Sequence, residues 1–450
     1  MALFQEIQTP ALKYEQPLGL FINNEFVPSV EGRTLDTINP HNEQKIAAVC
    51  EGTAKDVDIA VASARAAFEG PWKSLPSMER GKLLLKLADL LERDMMILAN
   101  IEALDNGKTV SMAAFDIQGS ANTLRYYGGW ADKVYGQTID IDENSHTYTR
   151  HEPLGLIAEA GFPPGVVNII NGYGRVAGAA IAWHMDVDKI AFTGSTLVGR
   201  EIQIASAKSN LKKVTLELGG KSPNIVFADA NIDNALSWVN FGIYCNHGQA
   251  CCAGSRILVH EGIYETFLER FKQRAQQNKL GDPFAPDTFQ GPQVSKAQFD
   301  RIMNYIDQGK AAGATLETGG QRYGERGYYI QPTIFSNVKE DMSIVREEIF
   351  GPVCTVQSFR DEDEAVRLAN NTEYGLAAAV HTTNLKTATR MSNRLRSGTV
   401  WVNSYNLIHQ QVPFGGYKQS GNGRELGSYA LDNYTQVKAV RIYLGDAMFG

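Results

Sequence analysis

The spacing of hydrophobic residues changes along the chain and predicts strands, then helices, then an alternation of the two. Residues 19–27 have apolar residues on either side of two adjacent asparagines that tolerate positive φ, so a β-hairpin is expected. Helices are predicted over 56–68, from residue 77 onwards, and over 111–134. The second helix has an apolar face of five leucines, Leu83, Leu84, Leu87, Leu90 and Leu91. We expect these helices to form a layer without a functional site.

Residues 138–150 alternate apolar and polar positions about a central turn, and this pattern predicts a second β-hairpin. Residues 437–444 have the composition of a companion strand. An exposed ribbon of this kind promotes aggregation unless another chain covers its edge. We therefore expect a homo-oligomer, either a dimer or a tetramer.

From residue 166 onwards, short apolar runs alternate with helical patterns. The predicted strands cover 166–170, 188–193, 224–227 and 256–260. The predicted helices begin near 172, cover 200–207, 232–244, 264–277 and 296–311, and end with a final helix from Arg424. Alternation on this scale predicts an α/β fold.

Composition narrows the class of protein. At 450 residues and 43% hydrophobic content, the chain is long enough for two or three domains. A net charge of -7 without a basic face argues against nucleic acid or an anionic membrane as a partner, and no apolar run is long enough to span a bilayer. Five cysteines, two of them adjacent, do not suggest a disulfide framework, and no metal-ligand spacing is visible. The first residues lack the features of a signal or transit peptide, so a cytoplasmic location is expected.

Cys251 is the first candidate for chemistry. It lies in a segment of small residues, 241–256, between a predicted helix and a predicted strand, and catalytic groups commonly sit in such connections. A thiol becomes a strong nucleophile only as the thiolate, which requires a lowered pKa and access to substrate. The alternative is that Cys251 and Cys252 are small buried hydrophobic residues, as most unpaired cysteines are.

Other segments could supply partners for this thiol. Glu217 ends a predicted strand before two glycines, where burial would raise the pKa of its carboxyl toward that of a general base. The alternative is a solvated glutamate on a sheet edge. A strand-to-helix turn over 194–199 could bind a phosphate through its backbone N–H groups, and the alternative there is a purely structural turn. Residues 413–421 could cradle an anion, and the alternative is a flexible connection to the final helix; we assign this segment no chemical role.

Five motifs, in order along the chain, resemble those of the NAD(P)-dependent aldehyde dehydrogenase superfamily, and most closely the cytosolic and mitochondrial general aldehyde and retinal dehydrogenases. The motifs are Phe192-Thr-Gly-Ser-Thr, Glu217-Leu-Gly-Gly-Lys, Gly248-Gln-Ala-Cys-Cys-Ala-Gly-Ser, Glu348-Ile-Phe-Gly-Pro-Val and Pro413-Phe-Gly-Gly-Tyr-Lys-Gln-Ser-Gly. The resemblance implies three parts: a Rossmann-type cofactor domain over 1–134 and 151–217, an α/β catalytic domain over 218–431, and an oligomerisation ribbon from 135–150 and 432–450.

The resemblance also implies an activity, the oxidation of an aldehyde to a carboxylic acid with NAD, and NADP is not excluded. Cys251 would be the nucleophile that forms a thiohemiacetal and then a thioester, and Glu217 would activate the water that hydrolyses the thioester. The resemblance assigns cofactor contacts to five residues, Gly194, Ser195, Gly199, Glu348 and Phe350.

At Gly155 the chain departs from the family pattern. The family continues with a strand, a Pro-Trp-Asn turn, a helix and a strand ending in Lys-Pro-(Ala/Ser)-Glu, whereas this chain passes directly to a later family helix. A strand-helix-strand unit of about 50 residues is therefore expected to be missing, and the truncated cofactor domain is expected to impair the enzyme. Two alternatives stay open: an inactive subunit that assembles with full-length homologues, and a cofactor-free thiol esterase.

Overall fold

The computed structural model describes residues 2–139, 145–153 and 160–445, so Gly155 and the proposed break lie outside the described residues. The strands are β1 (Phe4–Gln8), β2 (Lys13–Pro17), β3 (Leu20–Ile22), β4 (Glu25–Val27), β5 (Thr34–Asn39), β6 (Gln44–Cys50), β7 (Thr138–Ile139), β8 (Ser145–Pro153), β9 (Lys189–Thr193), β10 (Lys213–Glu217), β11 (Pro223–Val226), β12 (Arg256–His260), β13 (Thr315–Thr318), β14 (Thr333–Ser336), β15 (Val353–Phe359), β16 (Ala377–His381), β17 (Thr399–Val402), β18 (Gly421–Asn422) and β19 (Thr435–Tyr443). The helices are α1 (Ala54–Glu69), α2 (Pro71–Ser74), α3 (Ser77–Arg93), α4 (Met95–Asn106), α5 (Val110–Gly128), α6 (Ala179–Trp183), α7 (Thr196–Lys208), α8 (Ile232–Tyr244), α9 (Tyr264–Gln276), α10 (Lys296–Ala311), α11 (Ser343–Arg346), α12 (Glu362–Asn370), α13 (Leu385–Arg394) and α14 (Leu431–Tyr434).

The largest sheet has seven strands in the order β13-β14-β15-β12-β11-β16-β17. All neighbours are parallel except β13, which runs antiparallel to β14. Helices α8 and α9 cover one face and α12 and α13 the other, each through a separate apolar core. Parallel strands need cover on both faces, and β11 and β16 are buried along their whole length. The predicted α/β fold is confirmed.

A smaller sheet has the order β18-β10-β9, with β9 and β10 parallel and β18 antiparallel to β10. Within the described residues, β9 pairs on one side only. The segments that flank β9 and β10 carry large exposed apolar side chains, Met185, Leu197 and Leu211. A parallel edge strand with this little cover is unusual, because parallel sheets are normally buried.

The ribbon consists of β7, β8 and β19. β19 pairs with β8 along its full length, from Thr435 opposite Pro153 to Tyr443 opposite Ser145, and β7 pairs with the other side of β8. The predicted hairpin strands and their companion strand are confirmed, while the turn between β7 and β8 lies outside the described residues. No helix in the described ranges is long and apolar enough to cross a membrane.

Three predictions of local structure are wrong. Residues 166–170 form no strand; Ile169 makes a single bridge to Phe21 after a Pro-Pro-Gly turn. The third helix ends at Gly128 rather than at residue 134, because two consecutive glycines weaken it. Helix α7 begins at Thr196, four residues before the predicted start, so the glycine-rich turn is partly helical.

The C-terminal prediction also fails. No long helix starts at Arg424, because Gly423 and Gly427 adopt left-handed φ values of 87° and 58°. Between them, Glu425 pairs with Phe414, and helix α14 is only four residues long. The segment over 413–421 is therefore a paired part of the fold rather than a flexible connection.

Candidate active site

Cys251 follows α8 through a tightly folded connection. Asn246, His247 and Gly248 take left-handed φ values of 50°, 49° and 73°, which turn the chain away from the helix axis. Gly248 is required by packing as well, because a Cβ there would lie 2.2 Å from the carbonyl carbon of Gly351. Cys251 is left half-buried on the connection, whereas Cys252 is 3% exposed. The buried-hydrophobe alternative therefore describes Cys252 and not Cys251.

Glu217 ends β10 and is covered by a segment that is distant in sequence. Its backbone pairs with Gly421 of β18, and the side chain is 9% exposed. A Cβ on Gly415 would lie 2.7 Å from the Glu217 Oε1 atom, so the carboxyl packs directly against backbone. The alternative of a solvated glutamate on a sheet edge is wrong.

The environment of Glu217 favours its protonated form. Neither carboxyl oxygen has a hydrogen-bond partner in the part of the chain that the structure describes. Burial raises the pKa of Glu217 to about 8, with the charges of Cys251 and Glu425 adding to the effect and Arg424 opposing it. A carboxyl with a pKa near the working pH is suited to general base catalysis.

The two adjacent cysteines differ in acidity. A hydrogen bond from the Cys252 thiol lowers the pKa of Cys251 and outweighs burial and the Glu348 carboxylate, both of which raise it. The pKa of Cys252 is raised, first by the same pairing and then by burial. Cys251 is therefore the thiol that ionises more readily and also the one that is accessible.

Cys251 and Glu217 line one cavity of about 1820 Å³. This volume exceeds the roughly 300–1,000 Å³ of typical small-molecule pockets. One wall consists of side chains from α3 and α5, including Leu87, Leu91, Met112, Phe115 and Gln118. The expectation that the helical layer carries no site is therefore wrong. Its amphipathic pattern shows which side chains face inward but does not distinguish a packed core from a cavity wall.

The same cavity reaches Glu348 and Phe350. The Gly220 N–H donates to Glu348 Oε1 at 3.1 Å, and a Cβ on Gly219 would lie 2.1 Å from Glu348 Oε2. The glycine pair after Glu217 thus makes room for this second carboxylate. Burial raises the pKa of Glu348, and Phe350 takes a left-handed φ of 58° beside it.

Of the three residues proposed to contact a phosphate, Gly194 and Ser195 line the cavity and Gly199 does not. Thr193, Gly194 and Ser195 line the cavity where α7 begins, and the Ser195 hydroxyl accepts from the Val198 N–H at 3.3 Å. Gly199 lies one turn inside the helix and is buried, and a Cβ there would be 2.8 Å from the Leu218 side chain. Gly199 therefore serves helix packing, while Gly194 and Ser195 face the space that a ligand could occupy.

One feature of the site has no clear signal in the sequence. Asn406 and its neighbours in the loop after β17 line the cavity, yet they belong to none of the motifs. Lys221 is fully buried, and its Nζ lacks a hydrogen-bond partner within residues 2–139, 145–153 and 160–445. Among those residues no group of three His, Cys, Asp or Glu side chains could hold a metal ion.

Comparison with known proteins agrees with this geometry. The profile described as "Aldehyde dehydrogenase family" matches residues 26–159 and 155–440. The chain is 61% identical to an aldehyde dehydrogenase of Emericella nidulans, with 99% of each chain covered. It is 48% identical to human aldehyde dehydrogenase 1A1, with 94% of each chain covered. A solved NAD⁺ complex of aldehyde dehydrogenase from Bacillus cereus superimposes with a TM-score of 0.94 at 46% identity, covering 96% of this chain and 97% of that one.

The chain belongs to the aldehyde dehydrogenase family. This assignment confirms the family predicted from the motifs and makes the protein an oxidoreductase by descent.

Proposed function

We propose that the chain oxidises an aldehyde to a carboxylic acid, with Cys251 as nucleophile and Glu217 as general base. The observation that carries the proposal is their convergence on one cavity, with the pKa of the thiol lowered and that of the carboxyl raised. The two residues come from different elements, so neither local segment alone accounts for the pairing. Perturbed pKa values in a shared cleft are typical of catalytic sites.

The first step is attack of the Cys251 thiolate on the aldehyde carbonyl, which forms a carbon–sulfur bond and a thiohemiacetal. Loss of hydride from that carbon leaves a thioester on Cys251. Glu217 in its ionised form then removes a proton from a water molecule, which attacks the thioester, releases the acid and regenerates the thiolate. The unpartnered carboxyl oxygens of Glu217 are available to accept that proton.

The hydride acceptor that we propose is NAD⁺, and the Bacillus cereus relative is solved as an NAD⁺ complex. Nicotinamide supplies the hydride-accepting carbon when it is bound. The fit is supported by Glu348 and Phe350 on one side of the cavity and by the exposed start of α7 at Gly194 and Ser195 on the other. The preference between NAD⁺ and NADP⁺ is tested by titrating the chain with each cofactor and comparing their affinities, because the ribose contacts of the family fall in the segment expected to be missing.

We further propose that a missing segment near Gly155 reduces this activity. Three observations support the proposal. The two family matches meet at 155–159, the alignment with the Emericella nidulans relative runs over 493 positions although the chain has 450 residues, and β9 has an unpaired edge within the described residues. The resemblance makes the asparagine of the family's Pro-Trp-Asn turn an oxyanion donor, and that turn falls in the missing segment; loss of one such donor costs about 10²- to 10³-fold in turnover. We expect turnover well below about 10 s⁻¹, the median for enzymes.

Site-directed variants test the assignment of roles. Cys251→Ser is expected to reduce NADH formation from an aldehyde to background, and Glu217→Gln to reduce it by about 10²- to 10⁴-fold. Activity of the unmodified chain should rise with pH through about 8, because Glu217 must be ionised to act as a base. Cys50→Ala, which removes a buried cysteine from another part of the chain, is the matched control. Full activity of Cys251→Ser would refute the assignment.

Two alternative functions give different results. A thiol esterase, which the intact pairing of Cys251 with Glu217 favours, would hydrolyse p-nitrophenyl acetate without cofactor and lose this activity on alkylation. An inactive subunit would neither hydrolyse the ester nor form NADH, and it would co-purify with a longer homologous chain. NADH formation distinguishes the dehydrogenase from both.

We also propose a homo-oligomer formed through the β-ribbon. The outer strand, β19, has exposed apolar side chains at Val437, Ile442 and Tyr443, and no strand covers its second edge in the described part of the chain. An uncovered edge of nine residues favours pairing with another chain. Light scattering should give the mass of a dimer or tetramer, and lysine substitutions at Val437 and Ile442 should shift it toward the monomer.

A further inference from the structure

Ser420 connects distant segments through a hydroxyl that both donates and accepts a hydrogen bond. Its side chain is fully buried. The hydroxyl donates to the Gly219 carbonyl at 2.7 Å and accepts from the Gly375 N–H at 3.0 Å. Both glycines are buried as well. Removal of this hydroxyl would therefore leave a buried carbonyl and a buried N–H without their partner, which costs more than the loss of a bond at the surface.

The peptide group between Gly219 and Gly220 is held at both ends. Its carbonyl accepts from the Ser420 hydroxyl, and its N–H donates to Glu348 Oε1 at 3.1 Å. Neither glycine can be replaced, because a Cβ on Gly219 would lie 2.1 Å from Glu348 Oε2 and a Cβ on Gly220 would lie 2.4 Å from the Cys251 carbonyl oxygen. A peptide between two glycines has unusual rotational freedom. The two hydrogen bonds therefore determine which way this peptide faces.

Three residues that line the cavity meet at this peptide. Glu217 is separated from it by Leu218, whose N–H donates to the Ser420 carbonyl at 2.9 Å. Glu348 is bonded to its N–H, and the carbonyl of Cys251 packs against its second glycine. Rotation of the peptide would therefore displace the end of β10 relative to the nucleophile, and a misplacement of about 1 Å can cost about 10²-fold in rate.

We propose that Ser420 is a positioning residue whose hydroxyl fixes the Gly219–Gly220 peptide and thereby holds Glu217 in place for the hydrolytic step. The inference rests on the proposed function in taking Cys251 as the nucleophile and Glu217 as the general base. Attack by Cys251 requires the thiol alone, and this residue lies on its own connection after α8. Hydrolysis of the thioester also requires Glu217. Loss of the Ser420 hydroxyl should therefore slow hydrolysis and not the preceding attack.

Reaction of the full-length chain with p-nitrophenyl acetate separates the two steps without cofactor. Acetylation of Cys251 releases p-nitrophenol, and water then hydrolyses the acetyl thioester to acetate and the free thiol; mass spectrometry measures the acetyl group on Cys251 in both steps. Ser420→Ala should slow hydrolysis by about 10-fold and leave acetylation within about twofold. Ser206→Ala is the matched control, because Ser206 is also buried and donates to a backbone carbonyl, that of Lys212, at 2.6 Å. It should change neither rate.

Hydrogen exchange resolved to single residues supplies a measurement that needs no activity. The Gly220 amide should exchange about 10-fold faster in Ser420→Ala, because its peptide is then held at one end only. Ser420→Cys keeps a weak donor on the same Cβ and should give intermediate rates, so it replaces Ser420→Ala if that variant does not fold.

Three results in a variant with a native circular dichroism spectrum would overturn the inference: unchanged exchange at Gly220, unchanged hydrolysis, or equal slowing of acetylation and hydrolysis. If the unmodified chain is not acetylated at Cys251, the proposed function fails. The exchange rate of Gly220 then still decides whether the Ser420 hydroxyl fixes the peptide.

Discussion

Replacing Glu217 with glutamine is expected to stabilise the folded protein in alkaline solution while it removes the carboxyl that we propose as the general base. In the unfolded chain the carboxyl has a pKa of 4.5, whereas burial raises the pKa to about 8 in the folded protein. Between these values the folded state holds a proton that the unfolded state has lost. Stability therefore decreases as pH rises from 4.5 to about 8 and is constant above that range. Glutamine cannot ionise and escapes this decrease.

The magnitude follows from the difference between the two pKa values. At about 1.4 kcal/mol per pH unit, the interval from 4.5 to about 8 corresponds to an upper limit of about 4–5 kcal/mol. Glu217 faces the open cavity, where water screens part of its charge. We therefore expect about half of that limit, about 2 kcal/mol, as the stability that Glu217→Gln gains relative to the unmodified chain between acid and alkaline solution.

Urea unfolding at about pH 5.5 and about pH 9 measures this difference. Glu325→Gln, on an exposed loop, is the matched control and should follow the unmodified chain at both pH values. Equal pH dependence of unfolding for Glu217→Gln and the unmodified chain would refute the reasoning. It would mean that the carboxyl is solvated in the folded protein and is not primed as a base.

Three further substitutions test the buried framework by urea unfolding. Lys221→Met should stabilise the chain, because burial lowers the pKa of this unpartnered lysine from 10.5 to about 7. The gain should reach up to about 4–5 kcal/mol at pH 6, where the buried lysine is charged. It should be smaller at pH 9, because the folded protein releases the proton as pH rises above 7. Arg256→Ala should destabilise it by about 3–5 kcal/mol, because Arg256 donates to three buried carbonyls at 2.7–2.9 Å. Gly421→Ala should cost about 1–3 kcal/mol and lower activity, because φ is 119° and the added Cβ would lie 1.9 Å from the Leu216 carbonyl oxygen. If the free energy of unfolding of one of these variants equals that of the unmodified chain, the burial inferred for that residue is contradicted.

The sequence predicts the regular elements well and the details of the site less well, for physical reasons. Strong hydrophobic periodicity predicts α3 and the strands around Cys251, because an element that buries one face must place apolar residues at regular spacing. The burial of Glu217 could not be predicted locally, since the covering residue, Gly421, lies far along the chain. The contact of Asn406 with the cysteine loop could not be predicted, because Asn406 accepts from Cys252, 154 positions earlier in the chain, and no periodicity encodes such a contact.

The weak point of the fold and the centre of its chemistry lie in different elements. Cys251 is held by α8 and β12 of the seven-stranded sheet, whose parallel strands are covered on both faces. β9 lies in the smaller sheet, with one unpaired edge among the described residues and exposed apolar side chains such as Leu197 nearby. Damage at that edge acts first on the start of α7, the cofactor phosphate site that we propose, and reaches Cys251 only indirectly. Thiol reactivity should therefore survive conditions under which cofactor binding is lost.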